Sequence, residues 1–403
     1  MKRQETSIIA ITGSHGLMHG YLTLLPALIP LISGDLGNIE TIGILASLVA
    51  LFYGWFSLPV GFLADRFSKK SLITLSMFLL GIAAIIVGVS PSIEVAAVGL
   101  ILLGIGASLY HPCGYAHMSL LSDDMRGRYM GIQGMGGDMG MALSFLTSAF
   151  LGSEFGWRNT FIIWGAVGLA VALIDFFVVE DIACEVDPTQ VGIGPIETVK
   201  RMFRGVDIKT LLLTFLIIVV SGMLWTGVSN FIMVYITDVK TVALVIAGGL
   251  STLKYTVGAF AQVLGGEASD RMGRKKLLLL GYGLFAVSLI GLVLAPSDLL
   301  TLVGLVIVLG FSFFVTQGPM NALLGDISHK ETVGISYGVN FTLKYGIGFF
   351  TPAIAGYLAE TQGLNSVFYF FAVLSVIAFG ASLLVSEKAR VQTSIDVKAP
   401  TSS

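Results

Sequence analysis

Gly61-Phe62-Leu63-Ala64-Asp65-Arg66-Phe67-Ser68-Lys69-Lys70 and Gly266-Glu267-Ala268-Ser269-Asp270-Arg271-Met272-Gly273-Arg274-Lys275 are two versions of one phrase, 205 residues apart. Each begins on a glycine four residues ahead of an Asp-Arg pair, ends in a basic pair, and follows a long apolar stretch. Gly104 and Gly310 repeat at an offset of 206, and Gly131 and Gly338 at 207. Three matches at a near-constant offset predict a duplication of six apolar segments plus six.

Composition agrees with a chain built for hydrocarbon. Its residues are 55% hydrophobic and 12% charged, with a mean hydropathy of +0.88; a soluble domain would carry about twice that charged share. Twelve stretches are long enough to cross a core of about 30 Å as helices: 8–32, 42–63, 72–90, 94–121, 129–152, 159–179, 211–235, 242–265, 277–294, 299–325, 333–358 and 366–386. The expected fold is all-α integral membrane, twelve transmembrane helices in two six-helix bundles. The expected organisation is a bundle over 1–180, a cytoplasmic linker over 181–209, a second bundle over 210–386 and a disordered tail over 387–403. Of the 23 Lys and Arg, 19 fall in segments on the side of the termini. Only Arg158 and Lys240 fall opposite, and Lys254 and Lys344 lie inside spans. The positive-inside rule therefore predicts cytoplasmic termini. A net charge of −2 carries no message about nucleic acid, and Cys113 in a span with Cys184 in the linker implies no disulfide.

Six spans plus six, with a Gly-x-x-x-Asp-Arg-x-x-(Lys/Arg) loop in each half, resemble the major facilitator superfamily. Within it the N-terminal half is similar to fosmidomycin-resistance-type transporters. The matching residues are Ser14-His15, the run Tyr21 to Pro30, and Gly104-x-Gly106 leading to His111-Pro112-x-Gly114. Gly136-Gly137-Asp138-Met139-Gly140 matches more loosely. Asp138 stands where that family has an amide, Cys113 where it often has an acid, and His19 also departs, so the substrate range does not carry over. The resemblance implies gating by Asp65, Arg66, Asp270 and Arg271, with the first loop's acid capping the eleventh span to latch the outward-open state. Positive-inside signalling alone would explain the basic residues but not the two acids. Ser68, where the family has glycine, is expected to tighten or strain its turn.

Lys254 and Lys344 each lie about a dozen residues from either end of a span, about 15 Å from the nearest interface, too far to snorkel. A cation in hydrocarbon costs about 2.5–3.5 kcal/mol. The superfamily arrangement implies that their spans, the eighth and eleventh, line the central cavity. Three explanations stay open for the lysines: an anion site, a structural ion pair with Asp138, or a proton carrier. Asp138 is read as the one carboxylate near mid-membrane depth, and an Asp138–Lys254 pair across the seam is the specific expectation. By the repeat Lys344 aligns beside Asp138, and Lys254 with Ala50.

His15 and His19 are four apart, on one face of the first span; His111 precedes Pro112 in the fourth. Histidines can carry protons near neutral pH or simply tie helices together. The i, i+4 spacing also suits a metal pair, but no further acid or cysteine in that span completes a site, so no metal is expected. His117 lies on another face of the fourth span. In the C-terminal half Gln317, Asn321, Asn340 and Tyr345 are candidate ligands, beside Trp225, Ser229 and Asn230; Tyr21 and Tyr337 are further donors.

The expectation is a secondary active transporter of the inner (plasma) membrane, working by alternating access on a small organic anion with protons as driving ion. Lys344, Lys254, His15, His111, Gln317, Asn321, Asn340 and Tyr345 would bind substrate, and Asp138, His19 and His15 would handle protons. Efflux follows from the resemblance; anion uptake or exchange is the alternative, and a non-transporting sensor or scaffold a third. No cofactor and no nucleic acid are expected, lipid surrounds the chain, and a monomer suffices. No Gly-x-x-x-x-Gly-Lys-Ser/Thr phosphate loop points to an ATP-driven pump, and no nucleophile–base constellation to an enzyme.

Overall fold

The computed structural model describes residues 2–64, 67–120, 126–181, 208–327 and 333–386. The chain runs through α1 (Lys2–Ile32), α2 (Ile39–Ala64), α3 (Lys69–Gly88), α4 (Ile93–Leu120) and α5 (Arg126–Val178). After the linker come α6 (Ile208–Val234), α7 (Leu244–Met272), α8 (Arg274–Leu294), α9 (Leu299–Phe314), α10 (Gln317–Asp326), α11 (Val333–Gly346), α12 (Phe350–Gln362) and α13 (Leu364–Leu384). Among the described residues, ten helices are long and apolar enough to cross a membrane.

Two local features separate that figure from twelve. The apolar stretch of α5, Gly131–Val178, has 48 residues, about 72 Å of helix against a hydrocarbon core of about 30 Å. Gly156 breaks it with φ 78° and ψ 161°, backbone angles that only glycine adopts readily. Helices α11 and α12, of 14 and 13 residues, are separated at 347–349, so each alone is shorter than a bilayer crossing. Large apolar side chains such as Phe177, Phe260, Leu294 and Leu300 are exposed on the outside of the bundle. In water such a surface would aggregate; in lipid it is solvated.

The sequence repeat is realised as repeated helix crossings. Gly104 lies against the carbonyl of Val49, and Gly310 against that of Lys254; a Cβ on either would overlap the facing backbone. Glycine at such a crossing lets two backbones touch. The contact makes Val49, rather than the expected Ala50, the counterpart of Lys254. Likewise Gly140 abuts Gly16 where α5 crosses α1, and Gly348 abuts Gly222 where the α11–α12 turn crosses α6.

The halves meet along α2 with α11–α12 and along α5 with α7. The Ala353 N–H donates to Ser47 Oγ at 2.9 Å, Trp55 Nε1 to the Gly346 carbonyl at 2.9 Å, and Thr252 Oγ1 to the Ala142 carbonyl at 2.5 Å. Gly43 faces Pro352 and Gly356, and Gly248 faces Ala149. These contacts run from mid-helix to the end away from the chain termini, so the seam is closed on that side.

At the opposite end, the second copy of the repeated phrase forms a charged corner. Arg274 donates to Asp270 and to Ser269 Oγ (2.7 Å), and its Nε lies 3.5 Å from Asp326 Oδ2, joining α7, α8 and α10. Arg271 takes no part in that network among the described residues. Asp65 and Arg66, the gating pair of the first copy, lie outside the described residues. The strain expected at Ser68 is absent. Ser68 has φ −55° and ψ 123°, and its hydroxyl caps α3 by accepting from Ser71 N while donating to Asp181 Oδ1 at 2.6 Å. A serine N-cap satisfies an orphan helix donor, which explains the residue without a strained turn.

Candidate functional site

A narrow cavity of about 50 Å³ lies between the halves. Helices α1, α2, α4 and α5 line it from one side, with His19, Tyr53 and Met141; α6 and α11 line it from the other, with Trp225, Asn230 and Tyr345. The two lysines stand differently toward this cavity, and neither is among the residues that line it.

Lys344 lies beside two of the lining residues, its Nζ 5.8 Å from the rings of both Trp225 and Tyr345. Its ammonium donates to Gln317 Oε1 at 2.8 Å. The Gln317 amide nitrogen donates in turn to Thr316 Oγ1 (3.1 Å) and Ser221 Oγ (3.3 Å), which aims the carbonyl oxygen at the lysine. One neutral acceptor leaves most of the ammonium's donor capacity unspent. Asn321, four residues along α10 from Gln317, accepts from Asn340 Nδ2 at 3.2 Å. The four polar residues thus form two pairs bridging α10 and α11.

Lys254 points elsewhere. Its Nζ lies 4.1 Å from the Tyr255 ring, in a narrow space inside the C-terminal half lined by Trp225, Phe285, Phe313 and Phe314. The expected Asp138–Lys254 pair is not formed: Asp138 is joined to neither lysine by a hydrogen bond or an ion pair within 4.0 Å. The seam at that level is taken by Thr252, and the lysine turns into an aromatic interior where cation–π contact replaces a counter-ion. The cation that acts electrostatically on Asp138 is Lys344, and Asp138 also acts on Tyr115, Tyr255 and Tyr345. The lysine within electrostatic reach of Asp138 is therefore Lys344 rather than Lys254.

The three histidines of the N-terminal half come together. Ring centroids of His15 and His19 are 4.7 Å apart, of His15 and His111 5.0 Å, and of His19 and His111 5.1 Å. Tyr110 stacks on His15 and Tyr115 on His111. His15 Nδ1 lies 2.5 Å from the Gln133 carbonyl. Gly137 packs against both His15 and His19, where a Cβ would come within 2.8 and 2.9 Å of the rings. His117, as expected, stands outside the cluster.

Several neighbours escaped the sequence reading. Tyr110 holds the backbone of α1 by donating to the Ile11 carbonyl, and Gln133 donates to Tyr110. Asp175 is a second buried carboxylate, accepting from Ser14 Oγ at 2.7 Å. Its signal was an acid inside the run 159–179, passed over when Asp138 was read as the one carboxylate near mid-membrane depth. Tyr21 donates to the Trp164 carbonyl, Ser229 bonds Tyr255 at 2.7 Å, and both Tyr21 and Ser229 line the cavity. The side chain of Tyr337 lies outside the described residues.

The family model of the Major Facilitator Superfamily matches residues 12–352. A probable sulfoacetate transporter of Cupriavidus necator is 26% identical over 360 residues, covering 83% of this chain and 82% of that one. A probable nitrate transporter of Staphylococcus carnosus is 22% identical, over 93% of this chain and 95% of its own. Among solved structures, a bacterial homolog of the human lysosomal transporter Spinster, in an inward-facing and unoccupied conformation, superposes with a TM-score of 0.78. It shares 19% identity and covers 97% of this chain and 99% of its own.

Proposed function

This chain belongs to the Major Facilitator Superfamily, and from that premise we propose that it is a proton-coupled secondary transporter of a small organic anion. The observation that carries this reading is Lys344: a half-buried ammonium beside two aromatic rings that line the cavity between the halves, held by a single neutral amide. An anion entering the cavity supplies the missing counter-charge and accepts the donors that Gln317 leaves free. Relatives named for sulfoacetate and nitrate support an anionic substrate.

Asp138 is the coupling carboxylate in this reading. It lies within electrostatic reach of Lys344 without pairing to it, so its protonation changes the field at the lysine without breaking a contact first. Counting α5 as two crossings, α9 with α10 as one and α11 with α12 as one gives twelve, with both termini cytoplasmic in the inner membrane. The closed side of the seam is then the outer side, and the described state opens inward. Moving to the opposite state breaks the Ala353–Ser47, Trp55–Gly346 and Thr252–Ala142 bonds while the halves rock about the cavity. Similarity of the N-terminal half to fosmidomycin-resistance proteins favours efflux; the names of the two relatives leave uptake or exchange as the second reading.

The test is counterflow and gradient-driven accumulation in proteoliposomes, using mono- and dicarboxylates, sulfonates and phosphonates with neutral and cationic controls. Selective counterflow of one or more anions, accumulated under an imposed pH gradient, is the expected result. Transport of neutral or cationic compounds alone would overturn the anion reading, accumulation indifferent to pH would overturn the coupling, and no transport of any kind would favour a sensor or scaffold.

A further inference from the structure

The histidine cluster contains more unused donor capacity than a packing contact needs. In the described structure His15 Nε2, His19 Nδ1 and both nitrogens of His111 are buried with no hydrogen-bond partner. One ligand nitrogen from each ring lies within 4.8 Å of the other two. Leaving buried polar atoms unpaired costs about 1–3 kcal/mol each, so three such rings, each offering one nitrogen to the same point, indicate something that binds there. We propose that His15, His19 and His111 form a binding site for a divalent transition-metal ion of the zinc or cobalt type.

The details of the cluster fit that ion better than a chain of waters. The Gln133 carbonyl accepts from His15 Nδ1–H, which fixes the tautomer and leaves the Nε2 lone pair free for a metal. A backbone carbonyl behind a ligating imidazole is the usual outer-shell arrangement. Tyr110 and Tyr115, stacked on His15 and His111, hold those two rings in orientation. With metal–nitrogen distances of about 2.0–2.1 Å, a tetrahedral site needs ligand nitrogens about 3.4 Å apart. Reaching that from the observed spacing takes a closure under about 1.5 Å, within the reach of side-chain rotation. Three imidazoles leave a fourth position open. Because His19 also lines the central cavity, that position borders the cavity and is accessible to water or to an oxygen donor of a cargo molecule. The i, i+4 pair on α1 was too little for a metal by itself; the fold supplies the third ligand from α4.

Metal binding is read independently of transport, so its outcome does not depend on which substrate is carried. The full chain, purified through a tag without histidine and treated with chelator, is titrated with Co²⁺ and Zn²⁺ in detergent. The expected result is one Co²⁺ per chain, with the strong visible bands of a four-coordinate site, displaced by Zn²⁺. His111→Gln and His15→Gln should each weaken binding by at least about tenfold, since even outer-shell changes cost 10–100-fold. His117→Gln, a buried histidine outside the cluster, should not. Cu²⁺-loaded wild type should show nitrogen hyperfine coupling from several imidazoles, a readout that holds even if a variant fails to fold. Wild type that binds no stoichiometric metal, or binding unchanged in both cluster variants, overturns the proposal.

Discussion

The two halves share a helix pattern and glycine crossings but not their chemistry. The N-terminal half gathers three histidines and Asp138; the C-terminal half carries both lysines and the amides that hold one of them. At equivalent crossings Gly104 meets Val49 while Gly310 meets Lys254, so duplication has kept the backbone contact and changed the side chain beside it. Inside the C-terminal half the lysines divide again. Lys344 bonds Gln317 beside two rings that line the cavity; Lys254 lies among aromatic rings away from the seam. A buried charge therefore does not identify a ligand residue: what distinguishes the two is which space each ammonium reaches.

The largest effect should come from Lys344. Lys344→Met is expected to reduce anion counterflow by about 10- to 150-fold, the range for losing a hydrogen bond to a charged group of about 1.5–3 kcal/mol. The initial rate of counterflow in proteoliposomes reads this directly. Gln317→Leu should cost less, about tenfold, because the lysine stays while its orientation is lost.

Asp138→Asn sharpens the comparison from the other half. Exchange should persist while accumulation driven by a pH gradient disappears; full accumulation in this variant would remove Asp138 from coupling. A smaller loss is expected from Gly137→Ala, whose methyl would press on His15 and His19 at 2.8 and 2.9 Å. Overpacking of that kind costs about 1–3 kcal/mol, seen as a lower melting temperature. The smallest transport effect should be that of Lys254→Met, within about threefold of wild type, with unchanged or raised stability because an unpaired buried cation is replaced by a thioether of similar shape. A loss as large as that of Lys344→Met would erase the distinction between the two lysines.

The legible part of this fold was its covalent repetition. Hydropathy and the doubled Gly-x-x-x-Asp-Arg phrase gave the two halves, because apolar runs and glycine crossings are local properties of sequence. Helix α5 shows where such reading meets a local detail: the expected turn between 152 and 159 is a single glycine kink at Gly156. The site was legible residue by residue but not in its pairings. His15, His19, His111, Lys344, Gln317 and Asp138 were all singled out, yet which of them meet depends on helix rotation across the bundle. That rotation sends Lys254 into aromatic packing and brings His111 of α4 to a histidine pair on α1. Gln133 and Tyr110 were missed for the same reason, their role being set by what lies opposite them.

The central claim is that the ammonium of Lys344 is the cation that recognises the transported anion. The most direct measurement is counterflow of the best-carried anion by wild type, Lys344→Arg and Lys344→Met reconstituted side by side at equal protein density. The account predicts that arginine keeps a substantial part of the wild-type rate and that methionine loses nearly all of it. Undiminished anion counterflow by the Lys344→Met protein would contradict it.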